Sequence, residues 1–169
     1  MNLKLKQAIA LIVPPIAVIG TWYFLQDVNQ NAVVTENGVK AINDTRTVSS
    51  VIDGDTFDIG DMRVRIWGID APEIKQKCYN AESFWLCGEV AAQVLRNKIL
   101  GKQVICDQSG IDRDGREVAK CTLNETDLGR FMVEGGWAVD WPKHSQGEYA
   151  PFEATARTAG LGIFGQEQR

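Results

Sequence analysis

The run Thr56–Asp70, TFDIGDMRVRIWGID, decides the fold class of this chain. Its two halves are rich in alternating and β-branched residues, and Gly60-Asp61 between them predicts a tight turn. The period of two in the second half places Arg63 and Arg65 on one face and the apolar side chains on the other. The run therefore predicts a hairpin with a charged face and a core face.

Strand and helix patterns continue on both sides of this hairpin. Strands are predicted at Thr45–Ile52, Thr56–Ile59, Met62–Ile69, Gln103–Asp107 and Glu117–Leu123. Helices are predicted at Glu82–Leu100, from a cap at Thr126-Asp127 through Glu134, and at Tyr149–Ala159. The order is three strands, a helix, two strands and two helices. Five short strands in this order predict an α+β fold, a five-stranded oligonucleotide-binding (OB) Greek-key barrel with three helices.

The N-terminus has a different composition. Ala8–Leu25 is 18 residues without a charge, long enough to cross a bilayer core of about 30 Å with some adjustment. Lys4 and Lys6 suit a cytoplasmic flank, and Trp22 suits the interfacial aromatic belt. We expect a transmembrane signal anchor at residues 1–26, a linker at 27–44 and a folded domain at 45–169. A cleaved signal peptide is the alternative; in both cases the domain is exported to the periplasmic or extracellular side.

The cysteines agree with export, because all four lie in the folded domain. We favour a Cys78–Cys87 bridge, which would close a local loop. We also favour a Cys106–Cys121 bridge, since those residues would face each other on neighbouring strands. Four reduced, buried thiols remain the alternative. The chain has no C-x-x-C pair and only one histidine, which argues against a zinc site.

The charge of the exported part argues against tight, non-catalytic nucleic-acid binding. Two of the 18 basic residues, Lys4 and Lys6, precede it, which leaves 16 basic and 22 acidic residues and a net charge of about −6. Nucleic-acid binders are usually basic. A bound divalent cation would offset part of the local repulsion.

The chemistry-bearing residues lie at strand ends and in loops. The carboxylates of Asp55 and Asp70 suit Ca²⁺, which prefers oxygen ligands. Glu73, just past a proline, could serve as a general base or as an ordinary capping acid. Arg65 and Arg116 carry planar forks that match phosphate oxygens, although isolated arginines more often form surface ion pairs.

Three motifs resemble the staphylococcal nuclease (thermonuclease) family. They are Val51-Ile52-Asp53-Gly54-Asp55-Thr56, the run from Arg65 to Asp70-Ala71-Pro72-Glu73, and Asp112-x-x-Gly115-Arg116. The similarity covers about Thr45 to Phe164, and its cysteine pattern looks like an exported, membrane-anchored bacterial branch. The resemblance implies an OB barrel with three helices that cleaves DNA and RNA with calcium, breaking the 5′ P–O bond and leaving 3′-phosphates.

The resemblance also implies roles for individual residues. Asp55 and Asp70 would bind Ca²⁺ through carboxylates and Ala71 through its carbonyl, although the best-known pattern has threonine at the Ala71 position. Glu73 would orient or deprotonate water, and Arg65 and Arg116 would stabilise the pentacovalent phosphate. The tyrosines expected to stack on the nucleotide are missing, and Asp114 stands in place of one of them. Trp141 is the candidate for substrate stacking in their place.

Three readings of function follow. The first is a calcium-dependent endonuclease with nucleic acid as substrate, the membrane as anchor and no obligate protein partner. The second is a non-catalytic OB-fold module of the cell envelope that binds nucleic acid or protein. The third is an envelope scaffold, which the acidic net charge suits best. The complete set of Asp55, Asp70, Glu73, Arg65 and Arg116 favours the first, since a binding module has no use for all five.

Overall fold

The computed structural model describes residues 47–79 and 83–165. The predicted membrane segment, the linker and the boundaries at residues 26 and 44 lie outside this part of the chain. Of the helices that are described, none is both long and apolar enough to cross a bilayer.

Ten strands and four helices make up the described chain. The strands are β1 Val48–Val51, β2 Thr56–Ile59, β3 Met62–Ile66, β4 Ile69–Asp70, β5 Cys78–Tyr79, β6 Phe84–Trp85, β7 Ile105–Ile111, β8 Glu117–Leu123, β9 Thr126–Asp127 and β10 Val139–Asp140. The helices are α1 Cys87–Ile99, α2 Leu128–Glu134, α3 Pro142–Ser145 and α4 Ala150–Thr158, and a 3₁₀ turn follows at Gly162–Phe164. The fold is α+β, as predicted.

The main sheet has the strand order β1-β2-β3-β8-β7, with β9 paired to β8. Strands β1, β2, β3 and β8 lie within four of the predicted strand ranges. Strands β3 and β8 run parallel. The predicted closed barrel is not found among the described residues. Among the described residues, the chain next to β1 contacts the segment before β7 through the bridge between Thr47 and Gln103 and through two backbone hydrogen bonds of Val48, with Gly101 and Lys102. Strand β7 itself begins later, at Ile105, and is not paired with β1.

The predicted hairpin at β2 and β3 is confirmed, with Thr56 opposite Arg65 and Ile59 opposite Met62. Val64 is buried in the core while Arg65 lies on the other face, as the period of two requires. The prediction of one strand from 62 to 69 was wrong, because the chain turns at Gly68, where φ is +76°. A Cβ at Gly68 would lie 3.1 Å from both Ser145 and Tyr149.

The first helix begins later than predicted. Phe84, which fits the helical spacing, instead forms β6 together with Trp85 and pairs with β5, and helix α1 begins at Cys87. Pairing with a neighbouring segment overrides a local pattern of this length. One face of α1 packs into the core through Ala91, Leu95 and Ile99, all fully buried.

The second helix begins where the sequence predicts. The side chain of Asp127 accepts a hydrogen bond from the backbone N–H of Arg130 at 3.0 Å and caps α2. Helix α4 also lies within its predicted range. Helix α3 was not predicted, since a four-residue helix is too short to show a periodic pattern.

Both expected disulfide bridges are present. Cys78 and Cys87 have Cα atoms 5.6 Å apart. Cys106 and Cys121 face each other across β7 and β8, as expected, with Cα atoms 4.1 Å apart. The four thiols are therefore paired, which is consistent with an oxidising, extracytoplasmic location.

Candidate active site

Asp55 lies at the floor of the site, in the loop between β1 and β2. Asp55 is only 2% exposed. Its carboxylate accepts hydrogen bonds from the Thr56 hydroxyl at 2.9 Å and the Ala71 backbone N–H at 3.1 Å. Asp53 fixes the loop by accepting a hydrogen bond from the Asp55 N–H at 3.0 Å. Burial raises the pKa of Asp55 to about 7, although the charge of Arg65 works in the opposite direction.

Arg65 connects the two predicted metal ligands. Its Nη2 atom lies 3.0 Å from Oδ2 of Asp55 and 2.8 Å from Oδ1 of Asp70. Asp70 reaches this position from the end of β4, and its side chain is 57% exposed to the cleft. The guanidinium of Arg65 thus carries the positive charge between the two carboxylates.

Small residues let the floor of the site close up. A Cβ on Gly54 would lie 2.7 Å from the Cβ of Ala71 and 2.9 Å from that of Ala91. The loop of Asp55, the end of β4 and helix α1 therefore meet at Gly54, where only glycine fits.

Glu73 is exposed in the loop after β4, and helix α1 supports its backbone. The Glu73 carbonyl accepts a hydrogen bond from the Gln76 N–H at 2.7 Å, which closes a turn. A Cβ on Gly88 would lie 1.8 Å from that same carbonyl oxygen, so the loop and the first turn of α1 are in direct contact. The Cys78–Cys87 bridge ties the two segments together a few residues further on.

Arg116 lies at the end of the β7–β8 hairpin, where Asp112 organises the loop. Oδ1 of Asp112 accepts hydrogen bonds from the backbone N–H groups of Asp114 and Arg116, both at 2.9 Å. Oδ2 of Asp112 lies 2.7 Å from Nε of Arg116, and Oδ2 of Asp114 lies 3.4 Å from its Nη2. Partial burial tends to lower the pKa of Arg116, but the hydrogen bond to Asp112 and its negative charge outweigh that effect, so the pKa of Arg116 is raised.

Trp141 lines the cleft beside Arg65. Its residue is 38% exposed, and its ring centroid lies 5.4 Å from Cζ of Arg65. The ring of His144 meets it edge-on, with centroids 4.3 Å apart. One face of the cleft therefore offers an aromatic surface next to a cation.

Five of the predicted site residues line one cleft of about 750 Å³. Its walls include Arg65, Asp70, Glu73, Arg116 and Trp141, and Asp55 lies below them in contact with Arg65. Residues far apart in the sequence thus reach one cleft. Ala71 contacts the floor through its backbone N–H, and the four cysteines lie outside the walls of the cleft.

The cleft also contains residues to which the sequence assigned no role. Among them are Asp112, Arg113, Asp114, Val118, Lys143 and His144. Asp112 is part of a motif but was given no role, although an aspartate that opens a short loop commonly accepts hydrogen bonds from the backbone that follows. Lys143 and His144 gave no signal, because only the turn of α3 brings them to the cleft.

The donor chemistry at the floor fits a hard cation such as Ca²⁺, since it consists of carboxylate oxygens. Burial raises the pKa of Asp55, and a bound cation would oppose this by stabilising the ionised carboxylate. However, no group of three or more Asp, Glu, His or Cys side chains within 47–79 and 83–165 could hold a metal ion. Any cation would need backbone carbonyls or water as its remaining ligands.

Comparison with known proteins identifies the family. The family described as "Staphylococcal nuclease homologue" matches residues 63–166, more than half of the chain. The chain belongs to this family. Membership is in keeping with the α+β architecture and with five strands ordered β1-β2-β3-β8-β7, the strands of an OB-type sheet.

The chain is also similar to a protein of Rhizobium meliloti (strain 1021) named "Succinoglycan biosynthesis protein ExoI". The two are 36% identical over 119 residues, which cover 69% of this chain and 62% of that protein. The chain thus spans less than two thirds of the length of this relative.

Proposed function

We propose that this protein is a calcium-dependent endonuclease that hydrolyses phosphodiester bonds of DNA, RNA or both outside the cytoplasm. The observation that supports it is the convergence of Arg65, Asp70, Glu73 and Arg116 on one cleft, above buried Asp55. Family membership supports the same reaction class. Hydrolysis of a phosphodiester needs charge stabilisation at phosphorus and an activated water, and these side chains can supply both.

In the proposed reaction, the oxygen of a water molecule forms a bond to phosphorus as the bond to the 5′ oxygen breaks. Glu73 orients the water and accepts its proton. The leaving 5′ oxygen takes a proton from solvent, and the products carry a 3′-phosphate and a 5′-hydroxyl. Arg65 and Arg116 donate hydrogen bonds to the non-bridging oxygens, which gain negative charge in the transition state.

Asp55 and Asp70 would hold Ca²⁺, with the Ala71 carbonyl and water as further ligands. When bound, the cation would lower the cost of bringing an anionic phosphate to the acidic floor. Trp141 would offer its exposed face to a base or sugar of the substrate, next to Arg65. Lys143, which also lines the cleft, would attract the phosphate backbone by its charge.

We further propose that residues 1–26 anchor the domain on the extracytoplasmic side of a membrane. The uncharged run Ala8–Leu25 and the two disulfide bridges support this location. The intact mass of the protein purified from membranes distinguishes an anchor from a cleaved signal. A mass that lacks the first 26 or so residues would contradict the anchor and leave the exported location in place.

The enzymatic proposal is tested with the full chain and single-stranded DNA. We expect cleavage with calcium, none with chelator, and a loss of about 10²-fold or more for Glu73→Gln. The matched control is Glu89→Gln, which changes an exposed glutamate of helix α1 outside the cleft and should cleave normally. Calcium-independent cleavage, or full activity of Glu73→Gln, would contradict the assigned roles.

The second candidate is a non-catalytic module of the cell envelope that binds nucleic acid or protein. Two observations favour it: the relative is named a succinoglycan biosynthesis protein, and Arg65 and Arg116 already pair with acids. Nucleic acid that binds without being cleaved, equally well for the full chain and Glu73→Gln, would support this candidate. If the chain neither binds nor cleaves nucleic acid, the envelope-scaffold reading is the one supported.

A further inference from the structure

The short β5–β6 ribbon has an unusual distribution of side chains. Tyr79 lies opposite Phe84 in the register, and Cys78 lies opposite Trp85. Tyr79 and Phe84 are 73% and 54% exposed, whereas Cys78 and Trp85 are partly buried. The ribbon therefore presents its two paired aromatic rings to solvent on one face.

The other face of the ribbon fixes it to the domain. Cys78 is bridged to Cys87 at the start of helix α1, and the ring of Trp85 meets that of Trp137 edge-on at 6.5 Å. An isolated two-stranded hairpin is marginally stable at best in water. The bridge and the tryptophan pair hold this one in place, so the exposed rings are carried on a supported element.

Positive charge accompanies the exposed rings. Nζ of Lys77 lies 4.2 Å from the ring centroid of Phe84, a cation–π contact. Lys75, two residues earlier, is also exposed. Large exposed aromatic side chains cost solvation free energy, and a contiguous patch of them marks an interaction surface. A cation next to that patch suits an anionic partner.

The ribbon continues directly from the wall of the cleft. Glu73 lines the cleft, and Tyr79 follows six residues later, a distance that the chain spans in at most about 20 Å. Opposed residues on paired strands have Cβ atoms about 5 Å apart, so the two rings form one platform. A strand of nucleic acid that leaves the cleft past Glu73 would meet Lys77 and then this platform.

We propose that Tyr79, Phe84 and Lys77 form an extended binding platform for single-stranded nucleic acid, on which bases stack outside the cleft. This inference rests on the proposed function, because it names the form of the substrate and the path it follows. Aromatic rings bind bases of any sequence through their π faces, and lysine adds a contact to the backbone. The substrate class is therefore unpaired strands of several nucleotides, without base preference at the platform.

The test uses the full chain with Glu73→Gln to prevent cleavage, and fluorescently labelled single-stranded oligonucleotides of two and twelve nucleotides. Tyr79→Ser with Phe84→Ser should weaken binding of the longer one by about 10- to 100-fold and leave the shorter one unchanged. Lys77→Gln should reduce the salt slope for the longer one by about 0.7. The control, Leu100→Ser with Ile105→Ser, removes exposed apolar side chains elsewhere and should bind both normally.

Equal binding of the longer oligonucleotide by the ribbon variant and its parent would overturn the inference, and so would equal weakening for both lengths. Failure of the enzymatic proposal is read separately, as absence of cleavage by the chain with Glu73 intact. A chain that cleaves without help from the ribbon retains the function and loses the platform. Ribbon-dependent binding without cleavage retains the platform and loses the enzyme.

A membrane surface is the other class of partner that exposed aromatic rings could meet, and Phe84→Trp distinguishes it. Base stacking should quench the added tryptophan emission, measured as the difference from the parent chain. Quenching by the twelve-nucleotide strand supports the platform. Quenching by vesicles of brominated phosphatidylglycerol, with none by the oligonucleotide, would assign the ribbon to a lipid surface and overturn the proposal.

Discussion

Arg65 and Arg116 line the same cleft and carry the same proposed role, but the molecule holds them differently. Arg65 projects from β3, is 12% exposed at its side chain, and contacts the 3% exposed carboxylate of Asp55. Arg116 ends a hairpin, is 23% exposed, and is held by Asp112 four residues earlier. The floor of the cleft, Asp55 with Arg65 and Asp70, is therefore built from contacts between distant parts of the sequence. The rim, Arg116 with Asp112 and Asp114, is built from a single local loop. Loss of charge at the floor should affect folding as well as chemistry.

The largest effect is expected for Arg65→Ala. The change leaves Asp55 buried without its cation, and because the pKa of Asp55 is already raised to about 7, the carboxyl can take up a proton. The free energy of unfolding should therefore fall by about 1–2 kcal/mol near neutral pH and by more at higher pH. Activity should fall by about 10²–10³-fold even where the chain remains folded. Urea unfolding in chelator and steady-state cleavage measure the two effects.

Asp55→Asn added to Arg65→Ala is the matched control for the stability effect. The amide keeps the shape of the side chain and removes its charge, so the double variant should regain most of the lost stability and none of the activity. A single Arg65→Ala variant as stable as the parent would contradict the floor as a coupled charge pair.

Arg116→Lys should separate chemistry from stability at the rim. Lysine keeps the charge but not the planar fork, so we expect activity to fall by about 10²-fold. The free energy of unfolding should change by less than about 1 kcal/mol, because the pair with Asp112 is partly exposed. Thermal unfolding and cleavage on one preparation test this. Near-normal turnover would remove Arg116 from the site.

The sequence predicted the rim better than the floor. The loop of Arg116 follows from residues close together in the chain, and the Cys106–Cys121 pair follows from the strands that lead to it. The alternation in β3 predicted which face carries Arg65. The contact of Arg65 with both Asp55 and Asp70 could not be predicted, since it depends on how three separate segments pack around Gly54.

The fold shows the same limit. The cap at Asp127 needs only its own neighbours, and the sequence located it correctly. The β5–β6 ribbon has strands of two residues, too short for a period of two to be recognised, and Phe84 fits a helical spacing equally well. Only pairing across the ribbon and packing against Trp137 decide that segment, and neither is a local property.

The pH dependence of stability should have opposite signs at the floor and the rim. The folded-state pKa of Asp55 is about 7, above its ordinary value of 3.8, so the folded chain binds the proton more tightly. With calcium removed by a chelator, Asp55 therefore stabilises the folded chain at low pH. This stabilisation is lost as the pH rises from about 4 to about 7, by at most about 1.4 kcal/mol of unfolding free energy per pH unit. Asp55→Asn should remove this slope, measured by urea unfolding across the range.

Asp112 supplies the comparison at the rim. Burial works against ionisation there, but hydrogen bonds from Arg116 and from the backbone lower the pKa of Asp112. Its contribution to stability is therefore present above about pH 4 and is lost as the pH falls below that value. Asp112→Asn should lose stability near neutral pH and converge on the parent in acid. The same pH slope for both variants would contradict the distinction between floor and rim.

The smallest effect is expected at Asp114. Its carboxylate, 58% exposed, lies 3.4 Å from Nη2 of Arg116 and competes with a phosphate for that donor. Its place in the turn depends on its backbone N–H, which donates to Asp112, so Asp114→Asn should leave the loop intact.

For Asp114→Asn we expect kcat/KM to rise about two- to fivefold at low salt and the gain to disappear near 1 M salt, where exposed charges are screened. Asp107→Asn, which removes an exposed acid of β7 outside the cleft, is the control and should show no gain. A gain that persists at high salt would mean that Asp114 acts through its shape, and no gain at all would mean that substrate displaces it from Arg116 at no measurable cost.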